Sequence, residues 1–114
     1  MNTEAESARF AQAVDRIVAT IRDGYAPERI ILFGSHARGT AAPDSDLDLL
    51  IVKSSDRSEA ERIRQVSRLL RPRLLPLDIL VKTPGEIQER LAIKDSFFQE
   101  ILREGKVLYD REGR

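Results

Sequence analysis

Three aspartates carry the clearest chemical signal in this chain. Asp46 and Asp48 stand two residues apart at the mouth of an apolar segment, and Asp78 occupies a similar place at the start of another. Side chains two apart in a strand project from one face, roughly 6.5 to 7 Å apart, so both carboxylates can face one ion. If the two strands are neighbours, Asp78 comes within ~4.5 to 5.5 Å of a direct partner, or one diagonal step further. Carboxylates crowded this way repel one another, and burying them unpaired costs several kcal/mol, so the cluster implies a counter-cation. Hard oxygen ligands favour Mg²⁺, with Mn²⁺ as a substitute. Mg²⁺ usually keeps positions open for water and substrate phosphates, which points to phosphoryl chemistry. Taken alone, Asp44, Ser45, Asp46 and Asp48 read equally well as a solvated turn. A calcium loop fits worse: Leu49 stands where its sharp turn needs Gly, and Ser55 where the bidentate Glu belongs.

A second signal precedes the aspartates. Gly34-Ser35-His36-Ala37-Arg38-Gly39 follows directly on an apolar run. Gly34 lets backbone amides approach a ligand, and the Ser35 hydroxyl with nearby N–H groups can cradle phosphate oxygens at the start of a short helical turn. Arg38 could add a planar, charged donor. The glycine spacing matches a P-loop, but Thr40 replaces the required Lys, so that motif is rejected. His36 is read as a partly exposed turn residue without a catalytic role, in preference to a proton-transfer group.

The elements that must position these groups follow from periodicity. Phe10, Val14, Ile17, Val18 and Ile21 mark one helix face, with Thr3 and Glu6 as a capping box, so the first helix spans about 4–23 with Gly24 as its stop. Arg29 to Phe33 reads as a strand buried on both faces, Leu47 to Val52 as a second, and Leu77 to Val81 as a third that follows Pro76. In the second strand Leu47, Leu49 and Ile51 would face the core and leave the other face for chemistry. A crossover helix lies between the last two strands, from about Asp56 to Arg71, with Ile63, Val66, Leu69 and Leu70 inward and Pro72 behind it. Arg57, Arg64, Arg68 and Arg71 form a stripe on its other side, favoured as a solvated charged face around Glu61. Thr83-Pro84-Gly85-Glu86 caps a short helix to about Leu91, another runs from Lys94 to Arg103, and Lys106 to Tyr109 adds an edge strand after Gly105. Ordinary core packing is the favoured use of Phe97, Phe98, Ile101 and Leu102.

The fold class is α/β (α+β), a small mixed sheet with helices packed on it, formed by one domain over residues 1–114. Its catalytic core spans about 28–109. With 114 residues, 41% of them hydrophobic, the chain can build one small core. Lys plus Arg and Asp plus Glu both number 19, so no net field draws it to nucleic acid, and direct nucleic-acid binding is not expected. There is no Cys and one His, which argues against a zinc site. No apolar run approaches a membrane span and the start is polar, so a cytoplasmic location is expected.

Gly34-Ser35, ten intervening residues, then Asp46-Leu47-Asp48 and a later Asp78 in an apolar strand resemble the nucleotidyltransferase signature of the DNA polymerase beta superfamily. Over roughly Glu28 to Tyr109 the chain is more closely similar to the minimal nucleotidyltransferase domain family. The matching segments are Leu32-Phe33-Gly34-Ser35, Ala37-Arg38-Gly39, Ser45-Asp46-Leu47-Asp48-Leu49 and Leu77-Asp78-Ile79. The resemblance implies that Asp46, Asp48 and Asp78 are catalytic and hold Mg²⁺, as two ions, while Gly34, Ser35 and Arg38 bind ATP as the nucleotide donor. It further implies transfer of AMP to a hydroxyl, with a tyrosine of a HEPN-domain toxin as acceptor and this chain as antitoxin. Two other readings stay open, a non-catalytic antitoxin that occludes its partner and a small-molecule nucleotidyltransferase working beside a separate subunit. Homo-oligomerisation, base preference and acceptor identity are not legible.

Overall fold

A computed structural model describes residues 4–42 and 44–113. The first helix, α1, covers Glu4–Tyr25 and ends two residues past the expected Asp23. Gly24 lies inside it, and Ala26 takes the left-handed backbone conformation (φ 52°) just beyond its end. Thr3, half of the expected capping box, lies outside the described residues. The strands β1 (Arg29–Phe33) and β2 (Leu47–Val52) have the expected limits, while β3 (Leu77–Lys82) and β4 (Lys106–Asp110) are each one residue longer. Between β1 and β2 lies a single turn of helix, α2 (Ser35–Arg38).

The strands form one mixed sheet in the order β3-β2-β1-β4. β1 is antiparallel to β2 and to β4, whereas β2 and β3 are parallel. Parallel neighbours need a crossover connection. It is supplied by α3 (Glu59–Leu69), whose N-cap Ser58 accepts a hydrogen bond from the Glu61 amide at 3.2 Å. The helix is shorter than expected at both ends. Ser58 caps it, so that it starts three residues after Asp56, and Leu70 leaves helical geometry before Arg71, which the following Pro72 disfavours in a helix. Arg57 and Arg71 therefore lie off α3, and the expected stripe reduces to Arg64 and Arg68. Glu61 does sit among the arginines, 2.9 Å from Arg57 and 3.8 Å from Arg64.

Helices cover both faces of the sheet. On one side α1 and α3 bury Ile17, Ile21 and Val66 against Leu49, Ile51 and Val81. On the other, α4 (Pro84–Ala92) and α5 (Ser96–Glu104) bury Ile87, Phe98 and Ile101 against Ile31, Phe33, Leu50 and Val52. This corrects the expectation that β2 has one buried and one chemical face: α4 and α5 bury Leu50 and Val52, and only Asp48 at the head of that row stays partly open. The capping box is present at α4, where Thr83 and Glu86 bond each other's backbone amides at 3.1 and 2.9 Å. In α5, Phe98 and Ile101 are buried, but Phe97 is 46% exposed and Leu102 41%. Core packing thus accounts for two of the four apolar residues there. No described helix is long and apolar enough to cross a membrane.

Candidate active site

The site forms where β1 ends and β2 and β3 begin. Register places Phe33 opposite Asp48, and Asp48 opposite Asp78. Leu47 donates its amide to the Pro76 carbonyl at 3.0 Å, so pairing between β2 and β3 starts just before the two carboxylates. Burial first, then the charges of Asp78 and Asp46, push the Asp48 carboxyl above the usual carboxylate range, against the lowering pull of His36 and Arg38. Asp46 lies one residue before β2 and is exposed, as is Asp78. Asp48 and Asp78 therefore form a facing pair with Asp46 beside them. Among the described residues no three carboxylate or imidazole groups are gathered as a ready-made metal cage.

Gly34 is a structural requirement. Its backbone (φ 76°, ψ −155°) lies in a region that essentially only glycine occupies, and a Cβ there would collide with the Asp48 carboxylate. The turn continues as α2, whose Ala37 and Arg38 amides donate to the Gly34 carbonyl at 3.1 Å each. Gly39 closes it in the left-handed conformation. The leading N–H groups of a helix lack intrahelical acceptors, so those of Ser35 and His36 are available to an anion. The His36 Nε2 lies 3.1 Å from the Ser45 carbonyl, and its ring stacks on Phe10 with centroids 5.1 Å apart. These contacts tie α1 and the segment before β2 to the turn.

A cleft of about 400 Å³ opens in front of these groups. Gly34, Arg38, Asp48 and Asp78 line it together with Phe33 and Leu80. Its far wall is α5, which contributes Phe97, Glu100, Ile101 and Glu104. Glu104 stands 4.0 Å from the Arg38 guanidinium. Ser35 and Asp46 sit beside the cleft but are not among its lining. The α5 residues are absent from the sequence-based site. Their spacing of three, four and seven residues marks one helix face, but nothing local tells which sheet face that helix covers.

The nucleotidyltransferase domain family matches the chain over residues 14–109. A protein of Methanocaldococcus jannaschii, named a protein adenylyltransferase, is 33% identical over 102 residues, which are 86% of this chain and 96% of its own length. A nucleotidyltransferase structure from Sulfolobus solfataricus superposes with a TM-score of 0.68 at 23% identity, covering 98% of this chain and 92% of that one. A toxin-antitoxin structure with AMP-PNP superposes with a TM-score of 0.62 at 20% identity, covering 86% of this chain and 73% of that one. At such identities these two structures speak for the fold.

Proposed function

The chain belongs to the nucleotidyltransferase domain family, and from that premise we propose that it transfers AMP from ATP to a tyrosine hydroxyl of a partner protein, a HEPN-type toxin. The observation that carries the chemistry is Asp48 facing Asp78 across β2 and β3, with its carboxylate seated against Gly34. In this reading Ser35 and the first amides of α2 hold triphosphate oxygens, and Arg38 turns from Glu104 to the same phosphates. Asp46, Asp48 and Asp78 would hold Mg²⁺, which when bound neutralises phosphate charge and makes the acceptor hydroxyl more acidic. Asp78 takes the proton of that hydroxyl as its oxygen attacks the α-phosphorus, and pyrophosphate leaves in line.

A protein acceptor is favoured because the cleft opens at the surface, where a partner can present a hydroxyl. A partner surface could exclude water and hold one hydroxyl in line. The M. jannaschii relative's name and the toxin-antitoxin structure with AMP-PNP support the same direction. The chain would act as a single nucleotidyltransferase domain in the cytoplasm, as the antitoxin of the pair.

The test is to incubate the protein with labelled ATP, Mg²⁺ and the product of its neighbouring reading frame, then locate label by mass spectrometry. One partner tyrosine should gain a nucleoside monophosphate, and Asp46→Asn or conversion of that tyrosine to phenylalanine should abolish it. Inhibition of the partner by an Asp46→Asn, Asp48→Asn double variant, with no adduct even from the wild type, would establish neutralisation by occlusion instead.

A further inference from the structure

We propose that Phe97 is the residue on which the base of the bound nucleotide stacks, an assignment that rests on the nucleotide-binding reading above. Phe97 lines the cleft from the first turn of α5 yet is 46% exposed. In a chain with four Phe, two Tyr and no Trp, leaving a phenylalanine so open gives up apolar burial that a small domain needs. Its aromatic neighbours do not cover it. Phe33 and Phe98 both meet it perpendicularly, at interplanar angles of 84° and 83° with centroids 5.8 and 5.5 Å away. Neither ring lies flat against Phe97, and both hold its plane in place.

The distribution of charge orients the nucleotide. Among the described residues Arg38 is the one cation lining the cleft, and it stands beside Glu104 at the end of α5. Phe97 lies seven residues earlier, roughly 10 Å along the helix axis, a separation of the order of that between a nucleoside's base and its outer phosphates. Glu100, between them, repels phosphate. In the reading above the triphosphate takes the Gly34 and Arg38 end as its Mg²⁺ complex, the cation offsetting Asp48 and Asp78. The uncharged base is left to the open ring of Phe97 in the α5 wall. Aromatic stacking suits that wall because every base presents a π-face.

The test compares Mg·ATP with Mg·tripolyphosphate, which has the phosphates but no base, by calorimetry on wild type, Phe97→Ala and Phe97→Trp. Wild type should bind ATP more tightly than tripolyphosphate. Phe97→Ala should weaken ATP binding about tenfold or more and leave tripolyphosphate affinity unchanged. Phe97→Trp should keep ATP affinity, and because the chain has no other tryptophan its emission is a sole reporter, changed by ATP and not by tripolyphosphate. Equal losses for both ligands in Phe97→Ala, or tryptophan emission indifferent to ATP, would overturn the assignment. Tripolyphosphate binding as tightly as ATP to the wild type would defeat this assignment alone, whereas binding of neither ligand would defeat the nucleotide reading with it.

Discussion

At Gly34 one hydrogen atom in place of a methyl group decides the geometry of the site. The residue combines a backbone conformation reserved for glycine with direct contact to the carboxylate of Asp48. Gly34→Ala should lower stability by about 1–3 kcal/mol through backbone strain. It should also displace Asp48, reducing nucleotidyl transfer at least tenfold, as measured by single-turnover assay beside a urea melt. Transfer at the wild-type rate would show that Asp48 need not sit where it is. The aspartates themselves were legible in the sequence, because acidic residues heading apolar runs break the expected pattern. What could not be read was their rank: the register joins Asp48 to Asp78, whereas Asp46 remains outside the ladder.

Between elements, the least expected link is Arg62. The sequence presents it as one more arginine on a charged helix, yet it is 4% exposed. Its Nη1 and Nη2 each donate to Glu86 of α4 at 2.9 Å, Nη1 also donates to the Val81 carbonyl at 2.8 Å, and Nε to the Arg57 carbonyl at 2.9 Å. The fork thus fastens α3 to α4 around β3, and so helps hold the layer from which α5 walls the cleft. Periodicity cannot find such a residue, since the partner that makes its burial tolerable lies 24 positions away. The strands, by contrast, were readable to within a residue, because turn residues or charges bound short apolar runs. The bidentate Arg62 guanidinium holds the Glu86 carboxyl down at about 2. A depressed carboxyl contributes stability that is fully present above its unfolded value near 4.5 and is lost as pH falls through that range toward 2. Because the Glu86 side chain is 39% exposed, solvent screening limits the contribution to about 1–2 kcal/mol. Urea midpoints of wild type should therefore drop between pH 5 and pH 2 more steeply than those of Glu86→Gln, which should already be lower at pH 7. Parallel pH profiles would remove the link from the stability of the fold.

The molecule as a whole has balanced charge, 19 basic against 19 acidic residues, but the balance is not local. Among the described residues Asp48, Asp78, Glu100 and Glu104 line the cleft against Arg38 alone, with Asp46 close by. A triphosphate entering without a divalent cation meets net repulsion. Calorimetry should show ATP binding in Mg²⁺ and at least tenfold weaker binding in EDTA. Equal affinity in both would count against the site. The cleft's shape has a different origin: three layers meet at one end of the sheet, and the pairing of Phe33 with Asp48 brings the phosphate turn to the carboxylates. That pairing is written in the strands and not in the length of chain joining them. Doubling a flexible connection costs only about 0.6 kcal/mol. Thr40 to Ala42, beside that pairing and not buried, are thus a place where an inserted loop could meet a new acceptor while the carboxylates stay in position.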